Sequence, residues 1–366
     1  MTNELAPLTT LRVGGPAARL VTATTRDELV AAALEAWGDN DAWLLLGGGS
    51  NVVIADRGFD GTVARVATRG IERLPDGEGA HPVRLRIEAG EPWDAVVAFA
   101  VDQGLGGIEA LSGIPGTAGA APIQNIGAYG EQLSETLVAI DFLDSDSGEV
   151  LRLEASELEL GYRTSALKLG RQGVVLGIEL GFPAADGLSA PVGYDQLAAS
   201  LGVAVGDRVP LAEARAAVLA LRSSKGMVLD PADPDSVSAG SFFTNPIVSE
   251  SFARALPAEA PRWPLEPELA PVILPLGAEI PAAPASGEYL VKLSAAWLIE
   301  RSGITRGFGL PGSGAGISSK HTLAIVNRGG ATAADIAELA RFIQMRVLSE
   351  FGVELQPEPM LVGVQL

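Results

Sequence analysis

The pattern of hydrophobic and polar positions along the chain predicts a mixture of helices and strands. Apolar residues recur at helical spacing in five segments, and Thr25 followed by Glu28 gives the first segment the sequence of a capping box. Gly104 and Gly352 stand where glycine commonly ends a helix. The predicted helices lie at 26–37 and within EPWDAVVAFAVDQGLGG, LAEARAAVLALRSSKG, VKLSAAWLIERSG and TAADIAELARFIQMRVLSEFG.

Strands are predicted mainly between the first helix and residue 182. Val83, Leu85 and Ile87 alternate with charged residues, which is typical of a half-buried strand. Short apolar runs bounded by glycine, asparagine or proline give the remaining strands. They lie on both sides of the turn 47–51, between 61 and 88, in a hairpin around 144–148, within GVVLGIELGF, after AGSFFTNP and, interrupted by two prolines, in VELQPEPMLVGVQL.

The length of 366 residues predicts two or three domains, at roughly 100–200 residues each. We place a small α/β unit at 1–60, an α+β unit at 61–210 and a third α+β unit at 211–366, whose C-terminal strand returns to the active site. Residues 255–287 are rich in Pro and Ala with little periodicity, and they are predicted to form a surface excursion rather than a core element.

Composition and charge narrow the function. Apolar residues make up 47% of the chain and charged residues 19%, which is ordinary for a globular protein. The net charge of −19 argues against a general nucleic-acid binder and requires a local basic pocket for any anionic substrate. Neither a secretory leader pattern nor an apolar run of roughly 18–20 residues is evident, so a cytoplasmic protein without membrane insertion is expected.

Cysteine and histidine usage excludes several kinds of site. The chain has no cysteine and two histidines, His81 and His321. Disulfides, thiolate metal sites, iron–sulfur clusters and cysteine nucleophiles are therefore ruled out. We expect no metal site, because a set of several His ligands is not available.

Two glycine clusters, 47–51 and 113–130, are the strongest candidates for a binding site. Each can present unpaired backbone N–H groups to phosphate oxygens, although either cluster alone is more often only a turn. Gln124 and Asn125 add amide groups suited to the polar edge of a heterocycle such as a flavin. A strand rather than a helix follows residue 51, which argues against a Rossmann dinucleotide site.

Four other features permit both a structural and a chemical interpretation. The segment GLPGSGAGISSK lacks the order of a phosphate-binding P-loop and is predicted to be a flexible loop. Arg163 in GYRTSALK forms either a structural ion pair or a grip on a substrate carboxylate. Ser241 is either a turn hydroxyl or a proton donor, and Glu358 between two prolines is either an exposed loop residue or a stiffened active-site carboxylate.

Seven motifs in order along nearly the whole chain resemble the UDP-N-acetylenolpyruvoylglucosamine reductase family. They are LGGGSNVVIAD, LSGIPGTAGAAPIQNIGAYG, GYRTSALK, SSKGMVLDP, AGSFFTNPIV, VKLSAAWLIE and LQPEPMLVG. The resemblance implies an α+β fold in which a vanillyl-alcohol-oxidase-like module, formed by the first two units, binds FAD. A third, substrate-binding domain closes over that module.

The resemblance also implies the reaction and its residues. In such enzymes NADPH reduces FAD, and the enolpyruvyl nucleotide sugar then accepts the hydride to give UDP-N-acetylmuramate, a peptidoglycan precursor. By motif position, Arg163 polarises the enolpyruvyl carboxylate with Glu358 as its carboxyl partner, and Ser241 donates the proton. Since cysteine is absent, FAD is expected to be bound non-covalently.

Binding residues are carried over in the same way. Tyr194 in VGYDQL resembles the mobile-loop tyrosine of the longer family subtype. The expected partner is a small nucleotide sugar, and the expected state is a monomer. The expected substrate-binding residues are Tyr162, Tyr194, Lys225, Asn245 and Lys292, and the expected FAD-binding residues are Gly47, Gly48, Gly49, Ser50, Asn51, Ile114, Pro115, Gly116, Gly119, Gln124, Asn125, Gly127, Ala128 and Tyr129.

Two other functions stay open at this point. An FAD-dependent oxidase of the same fold, acting on an alcohol or sugar, would explain the glycine clusters. A non-catalytic flavin-binding protein would explain them equally well. Neither alternative requires Arg163, Ser241 and Glu358 to occur in their family contexts, and all three do.

Overall fold

A computed structural model describes residues 3–39, 42–183, 185–265 and 289–366. The α-helices are α1 Arg26–Gly38, α2 Trp93–Asp102, α3 Asp195–Leu201, α4 Leu211–Ser224, α5 Glu250–Ala255, α6 Ala295–Arg301 and α7 Ala333–Phe351. The strands are β1 Ala17–Ala23, β2 Trp43–Leu46, β3 Val52–Ile54, β4 Phe59–Val66, β5 Ile71–Arg73, β6 Val83–Glu88, β7 Gly127–Ala128, β8 Glu131–Gln132, β9 Leu137–Asp144, β10 Val150–Glu154, β11 Gly173–Phe182, β12 Ile247–Ser249, β13 Arg262–Leu265, β14 Leu290–Leu293, β15 Ala315–Ile317, β16 Ile325–Asn327 and β17 Met360–Val362.

The ends of the helices follow the signals in the sequence. The Thr25 side chain accepts the backbone N–H of Glu28, and the Glu28 carboxylate accepts that of Thr25, so the predicted capping box starts α1. Gly352 ends α7 with a φ of 68°, a left-handed conformation that glycine adopts without steric cost. The predicted helices at 26–37 and in the C-terminal region are confirmed.

A small parallel sheet carries the first glycine turn. Its order is β1-β4-β2, and the turn 47–51 connects β2 to β3. Strand β3 pairs in parallel with the C-terminal strand β17, with Val52 opposite Met360. The chain end therefore returns beside the glycine turn, which places Glu358 next to residues encoded some three hundred positions earlier.

An antiparallel five-stranded sheet, β10-β9-β11-β6-β5, supports the second glycine cluster. Strand β11 lies at its centre and is buried along almost its whole length. Helix α2 packs on the sheet through side chains that include the fully buried Trp93. Residues 113–130 lie against this core, since a Cβ at Gly119 would stand 2.6 Å from the Cβ of Ala89.

The last part of the chain has its own core. Helices α6 and α7 pack against β14, β15 and β16 through buried aliphatic residues and the edge-to-face pair Phe242–Phe243. Strands β12, β14 and β13 form a three-stranded antiparallel sheet. Lys292 and Trp263 lie opposite each other on β14 and β13, and Lys292 extends from this sheet to the ring of Tyr162.

Several predictions of local structure were wrong. The predicted loop 309–320 contains the buried strand β15, and the first residues of VKLSAAWLIERSG form β14 rather than helix. Part of the predicted surface excursion, 262–265, is strand β13, while residues 266–288 lie outside the described ranges. The segment GYDQLAASLG, assigned to a connection, contains helix α3.

The contacts lead us to propose later domain boundaries than 60 and 210. Strand β4 crosses residue 60, yet both of its partners, β1 and β2, belong to the first unit. Helix α4 follows residue 210 but packs through Val218 on Ala110 and Leu197 of the second unit. We therefore place the boundaries after β4 and after α4.

Candidate active site

The two glycine clusters contact each other directly. A Cβ at Gly48 would stand 2.7 Å from the Cα of Gly116, and the Ser50 hydroxyl donates to the carbonyl of Pro115 at 2.9 Å. Gly49 and Gly116 have φ values of 61° and 128°, which side chains disfavour. Glycine is thus needed at Gly48 first of all because the backbones of the two clusters are in contact at this point.

Backbone N–H groups of both clusters are left without partners. Among the described residues, none accepts a hydrogen bond from the amides of 47–51, 116 or 117. Such a group of free amides in consecutive turns is suited to phosphate oxygens. The predicted residues Gly47, Gly48, Gly49, Ser50, Asn51 and Gly116 therefore form a cradle that fits the pyrophosphate of FAD.

A chain of polar side chains leads away from this cradle. The Asn51 amide donates to Gln124 Oε1 at 3.0 Å, and Gln124 Nε2 donates to Glu358 Oε1 at 3.4 Å. The Asn51 amide also reaches the backbone carbonyl of Glu358 at 3.3 Å. Three separate stretches of sequence are joined here.

Arg163 lies at the end of this chain in a strained conformation. Its φ is 54°, in the left-handed region that non-glycine residues seldom adopt. Its Nη1 and Nη2 donate to the carbonyls of Asn125 (3.3 Å) and Gly127 (2.7 Å), and its Nε lies 3.6 Å from Glu358 Oε1. The guanidinium is therefore fixed by the second glycine cluster on one side and by Glu358 on the other.

The carboxyl group of Glu358 is only 14% exposed. Burial raises its pKa, and the opposing effects of Arg163 and Lys168 do not cancel the rise. The backbone N–H of Glu358 donates to the carbonyl of Phe242 at 2.9 Å. This bond ties Glu358 to the residue directly after Ser241.

Ser241 is partly exposed beside this bond. Its hydroxyl makes no hydrogen bond to any residue in the described part of the chain. Phe242 and Phe243, which follow it, are buried in the core of the last unit and hold its backbone in place. The structure thus brings the backbone of Ser241 next to Glu358, which in turn faces Arg163.

The predicted substrate residues form two groups around these three. In the first group, Lys292 Nζ lies 4.9 Å from the ring centre of Tyr162 and 5.9 Å from that of Trp263. Asn245 interacts with the Tyr162 hydroxyl and accepts the backbone N–H of Ala295 at 3.0 Å. Tyr162 is 44% exposed, so this group borders solvent.

In the second group, Tyr129 and Tyr194 pack edge to face with ring centres 5.7 Å apart. Lys225 Nζ lies 5.5 Å from the Tyr129 ring and donates to Gln196 at 2.8 Å. Burial and the nearby charge of Arg222 lower the pKa of Lys225. Tyr194 and Lys225 therefore both contact Tyr129, at the end of the second glycine cluster.

A basic cluster lies beneath the second group. Arg222 is 9% exposed, its Nη2 donates to Met227, and its Nε–H lacks a partner among the described residues. Burial, followed by the charges of Lys225 and Arg222, lowers the pKa of His321 to about 4. Within a chain of net charge −19, this is a local site for an anion.

The side chain of Asn125, a predicted flavin contact, has its hydrogen-bond partners within the protein. Asn125 is 1% exposed, and its amide bonds to Gln132, Ser134 and the Gly161 carbonyl, with Ser134 N–H returned to its Oδ1. A side chain with all its hydrogen bonds satisfied internally does not offer its amide to a flavin. Asn125 instead holds the loop at a φ of 45° and lends its carbonyl to Arg163.

Sequence reasoning missed three residues of the site. Trp263 fell within the segment assigned to a surface excursion, and His321 followed the segment assigned to a flexible loop. Arg222 lies three positions before Lys225, on the same face of α4, which helical spacing could have indicated. In the described part of the chain, no group of three or more His, Cys, Asp or Glu side chains is placed to hold a metal ion, and no helix is long and apolar enough to cross a membrane.

The fold and the cradle define an FAD-binding oxidoreductase fold of the α+β class, and residues 17–154 match the model of an FAD-binding domain family. Residues 231–362 match the C-terminal domain of UDP-N-acetylenolpyruvoylglucosamine reductase. The chain belongs to the UDP-N-acetylenolpyruvoylglucosamine reductase family, since it is 61% identical over 99% of its length to a protein of that name from Leifsonia xyli, of which it covers 98%.

Other relatives agree with this assignment. A UDP-N-acetylenolpyruvoylglucosamine reductase from Saccharopolyspora erythraea is 51% identical over 100% of this chain and 96% of its own. The crystal structure of UDP-N-acetylenolpyruvylglucosamine reductase from Thermus caldophilus superposes with a TM-score of 0.60 at 25% identity, covering 98% of this chain and 97% of its own. The predicted fold class and family are confirmed.

Proposed function

We propose that this chain reduces the enolpyruvyl group of UDP-N-acetylglucosamine enolpyruvate to give UDP-N-acetylmuramate, with NADPH as hydride donor and non-covalent FAD. The observation that carries the proposal is the meeting of Arg163, Glu358 and Ser241 beside the two glycine clusters. These residues come from three distant segments, and a protein that only bound flavin would not need to assemble them.

Bound FAD would supply the hydride-transfer chemistry between NADPH and the substrate. The free amides of the first glycine cluster, with Gly116, would hold its pyrophosphate. Gln124 would reach the polar edge of the flavin, since its amide lies between Asn51 and Glu358. Ile114, Pro115, Gly119, Gly127, Ala128 and Tyr129 would shape the loop that follows.

Arg163 would stabilise negative charge that develops on the substrate carboxylate during hydride addition. Two of its nitrogens are already tied to backbone carbonyls, so the guanidinium is pre-organised and does not have to be ordered during the reaction. Glu358 holds the remaining edge at 3.6 Å. Stabilisation that grows in the transition state raises kcat more than substrate affinity.

Ser241 would deliver its Oγ proton to the substrate carbon next to the carboxylate. A serine hydroxyl is a weak acid at its ordinary pKa, and only a strongly basic acceptor can take its proton. The carbanionic form of the substrate produced by hydride addition is such an acceptor. The Ser241 hydroxyl is free of internal hydrogen bonds within the described residues, so it can turn toward that carbon.

The nucleotide sugar would bind through both groups of predicted residues. Lys225, beside Arg222 and His321, offers positive charge to the diphosphate. Tyr162, Asn245 and Lys292 line the opposite side, and Trp263 extends it with an aromatic face. Tyr194 would cover the bound substrate from the loop before α3.

The test follows the visible spectrum of the purified protein without oxygen. NADPH should bleach the flavin bands, and the enolpyruvyl nucleotide sugar should restore them at one equivalent. Bands that return only when air is admitted would favour the oxidase instead. A protein without flavin bands, even after incubation with FAD, would overturn the proposal at the cofactor.

We also propose that the protein acts as a cytoplasmic monomer. The nucleotide sugar that it would use is a small dissolved molecule. Size-exclusion chromatography with light scattering should give a mass near 37.6 kDa. A stable dimer would contradict the monomer and leave the chemistry untouched.

A further inference from the structure

Two carboxyl groups, those of the buried Glu109 and the partly buried Glu131, connect the segments that carry Tyr129 and Tyr194. Glu109 is 2% exposed, and its carboxylate accepts the backbone N–H of Gly107 at 2.6 Å and that of Ala190 at 2.5 Å. Glu131 accepts the N–H of Ala110 at 2.9 Å, and its side chain is hydrogen bonded to Glu109. We call them the Glu109–Glu131 pair.

A hydrogen bond between two carboxyl groups requires one of them to keep a proton. Burial and the charge of Glu109 raise the pKa of Glu131 well above its ordinary value, and Glu135 acts in the same direction. Both carboxyl oxygens of Glu109 accept backbone N–H groups, which suits an acceptor of the hydrogen bond rather than its donor. The proton therefore resides on Glu131, which donates to Glu109.

No cation offsets this negative charge in the described part of the chain. Arg208, the cation nearest to Ala190 along the hydrogen-bonded loop, donates to Ser189 and pairs with Asp186. On helix α4, Arg215 pairs with Asp94, and Arg222 faces Tyr129 and Asp94. None of the ion pairs among the described residues includes Glu109 or Glu131, so no salt bridge balances the charge of the pair.

The pair joins the two segments that carry the aromatic residues. Glu131 belongs to the β7–β8 hairpin whose turn contains Tyr129, at a strained φ of 50°. Glu109 holds Ala190 in the loop that leads to Tyr194. The two segments also touch at Gly130, where a Cβ would stand 3.2 Å from the carbonyl carbon of Gly193.

We propose that the Glu109–Glu131 pair positions Tyr194 over the substrate by sharing one proton, and that loss of this proton at high pH releases the Tyr194 loop from the flavin loop. The inference rests on the proposed function only in placing Tyr194 at the substrate. With both groups ionised, two negative charges would face each other in a buried site, and the Ala190 contact would open first because its loop borders solvent.

The direction of the pH dependence follows from the raised pKa of Glu131. The contact is complete while Glu131 is protonated, and it is lost as pH rises through the folded-state pKa of Glu131. Buried glutamates titrate as high as about pH 8–9. The range to examine is therefore about pH 5 to 9.

The experiment uses FAD-loaded wild-type protein, Glu131→Gln and the control Glu135→Gln, which removes a neighbouring carboxylate outside the pair. Steady-state kcat and KM for the nucleotide sugar are measured across the range. Protection of the amides at 189–194 against hydrogen exchange, corrected for the intrinsic pH dependence, is followed in parallel. Glu131→Gln keeps the donor to Glu109 at every pH.

In wild type, we expect KM to rise about tenfold or more with pH, kcat to change less, and protection at 189–194 to fall. Glu135→Gln removes a charge that helps to raise the pKa of Glu131, so the same changes should occur there at lower pH. In Glu131→Gln, KM and the protection at 189–194 should not change with pH. Profiles that coincide in wild type and Glu131→Gln would overturn the inference. If the sugar fails to reoxidise the flavin in any variant, the proposed function falls, while the wild-type exchange data still decide whether the pair releases the loop.

Discussion

Glu358 Oε1 lies 3.6 Å from Arg163 Nε, and both side chains are largely removed from solvent. This separation is longer than a direct hydrogen bond. The two charges therefore attract each other, while the hydrogen-bonding capacity of each group is not fully used. Arg163 meanwhile gives its two terminal nitrogens to the flavin loop. This arrangement leaves the edge near Glu358 as the place where an incoming carboxylate can compete for the guanidinium.

Arg163→Lys should impair the second half-reaction selectively. Lysine offers a point charge in place of the fork that now reaches the carbonyls of Asn125 and Gly127. We expect the rate of flavin reoxidation by the nucleotide sugar to fall by roughly 10²–10³-fold. Reduction by NADPH should stay near the wild-type rate in stopped-flow measurements.

The exposed Arg341→Lys on α7 is the matched control and should leave both rates unchanged. Because Arg163 also supports the flavin loop, the affinity for FAD has to be measured alongside. Equal losses in the two half-reactions, accompanied by weaker FAD binding, would assign Arg163 to the loop instead of the substrate.

Ser241→Ala should remove the proton donor without disturbing the fold. Its hydroxyl has no hydrogen bond to the described residues, so its loss leaves no partner unsatisfied. Reoxidation by the substrate should slow by about 10²–10⁴-fold, the usual contribution of a positioned acid. Ser251→Ala, exposed on α5, should react as wild type, and an unimpaired Ser241→Ala would remove this residue from catalysis.

Glu358→Gln should stabilise the protein while it lowers activity. Burial raises the pKa of Glu358 despite Arg163, which means that the charged side chain is less favourable in the folded state than in the unfolded chain. The charge on Glu358 therefore lowers the free energy of unfolding as pH rises above the ordinary pKa of glutamate. Well below that value the side chain is neutral in both states, and there is no such loss. At neutral pH the variant should therefore have a higher melting temperature than wild type, by about 2–4 °C for each kcal/mol of stability gained. In strong acid the two melting temperatures should be equal. A lower melting temperature at neutral pH would show that the Arg163 contact outweighs burial.

Local pattern was sufficient to predict much of the fold. The capping box at Thr25, the alternation in β6 and the glycine after α7 are signals that tertiary contacts did not override. The pairing of β3 with β17 was not predicted, because no periodicity reveals which distant strands meet; only a return of the C-terminal strand to the active site was expected. Strands β13 and β15 were missed because proline and glycine weaken the local signal while burial and pairing supply the stability.

The candidate site, too, could be predicted from the sequence only in part. Free amides in a glycine turn can be anticipated from sequence, and the motifs located Arg163, Ser241 and Glu358. The internal use of the Asn125 amide could not be anticipated, since its partners at Gln132, Ser134 and Gly161 depend on how the loop folds back. The contact of the two glycine clusters was equally hidden, and it changes the reason that glycine is required at Gly48.

His321 should make the protein sensitive to mild acid. Burial and the neighbouring cations lower its pKa to about 4, whereas an unfolded histidine titrates near about 6.5. Below the unfolded value only the unfolded chain takes up the proton, so stability falls as pH drops from about 6.5 toward about 4. The full loss is about 3 kcal/mol. Urea unfolding of His321→Gln should show a flatter profile in this window, and His81→Gln should follow wild type; parallel slopes for all three would disprove the role of His321.

Gly48→Ala should weaken FAD binding by separating the two glycine clusters. The added Cβ would stand 2.7 Å from the Cα of Gly116, and a backbone atom cannot yield as a flexible side chain can. Overpacking of this kind costs about 1–3 kcal/mol, which corresponds to roughly 5- to 150-fold in affinity if the strain is relieved by opening the cradle. Gly38→Ala is the control, because nothing lies within 4 Å of its Cβ position. Titration of the apoprotein with FAD measures the affinity of each variant. An unchanged affinity in Gly48→Ala, with its melting temperature lowered, would mean that the contact supports the fold and not the cofactor.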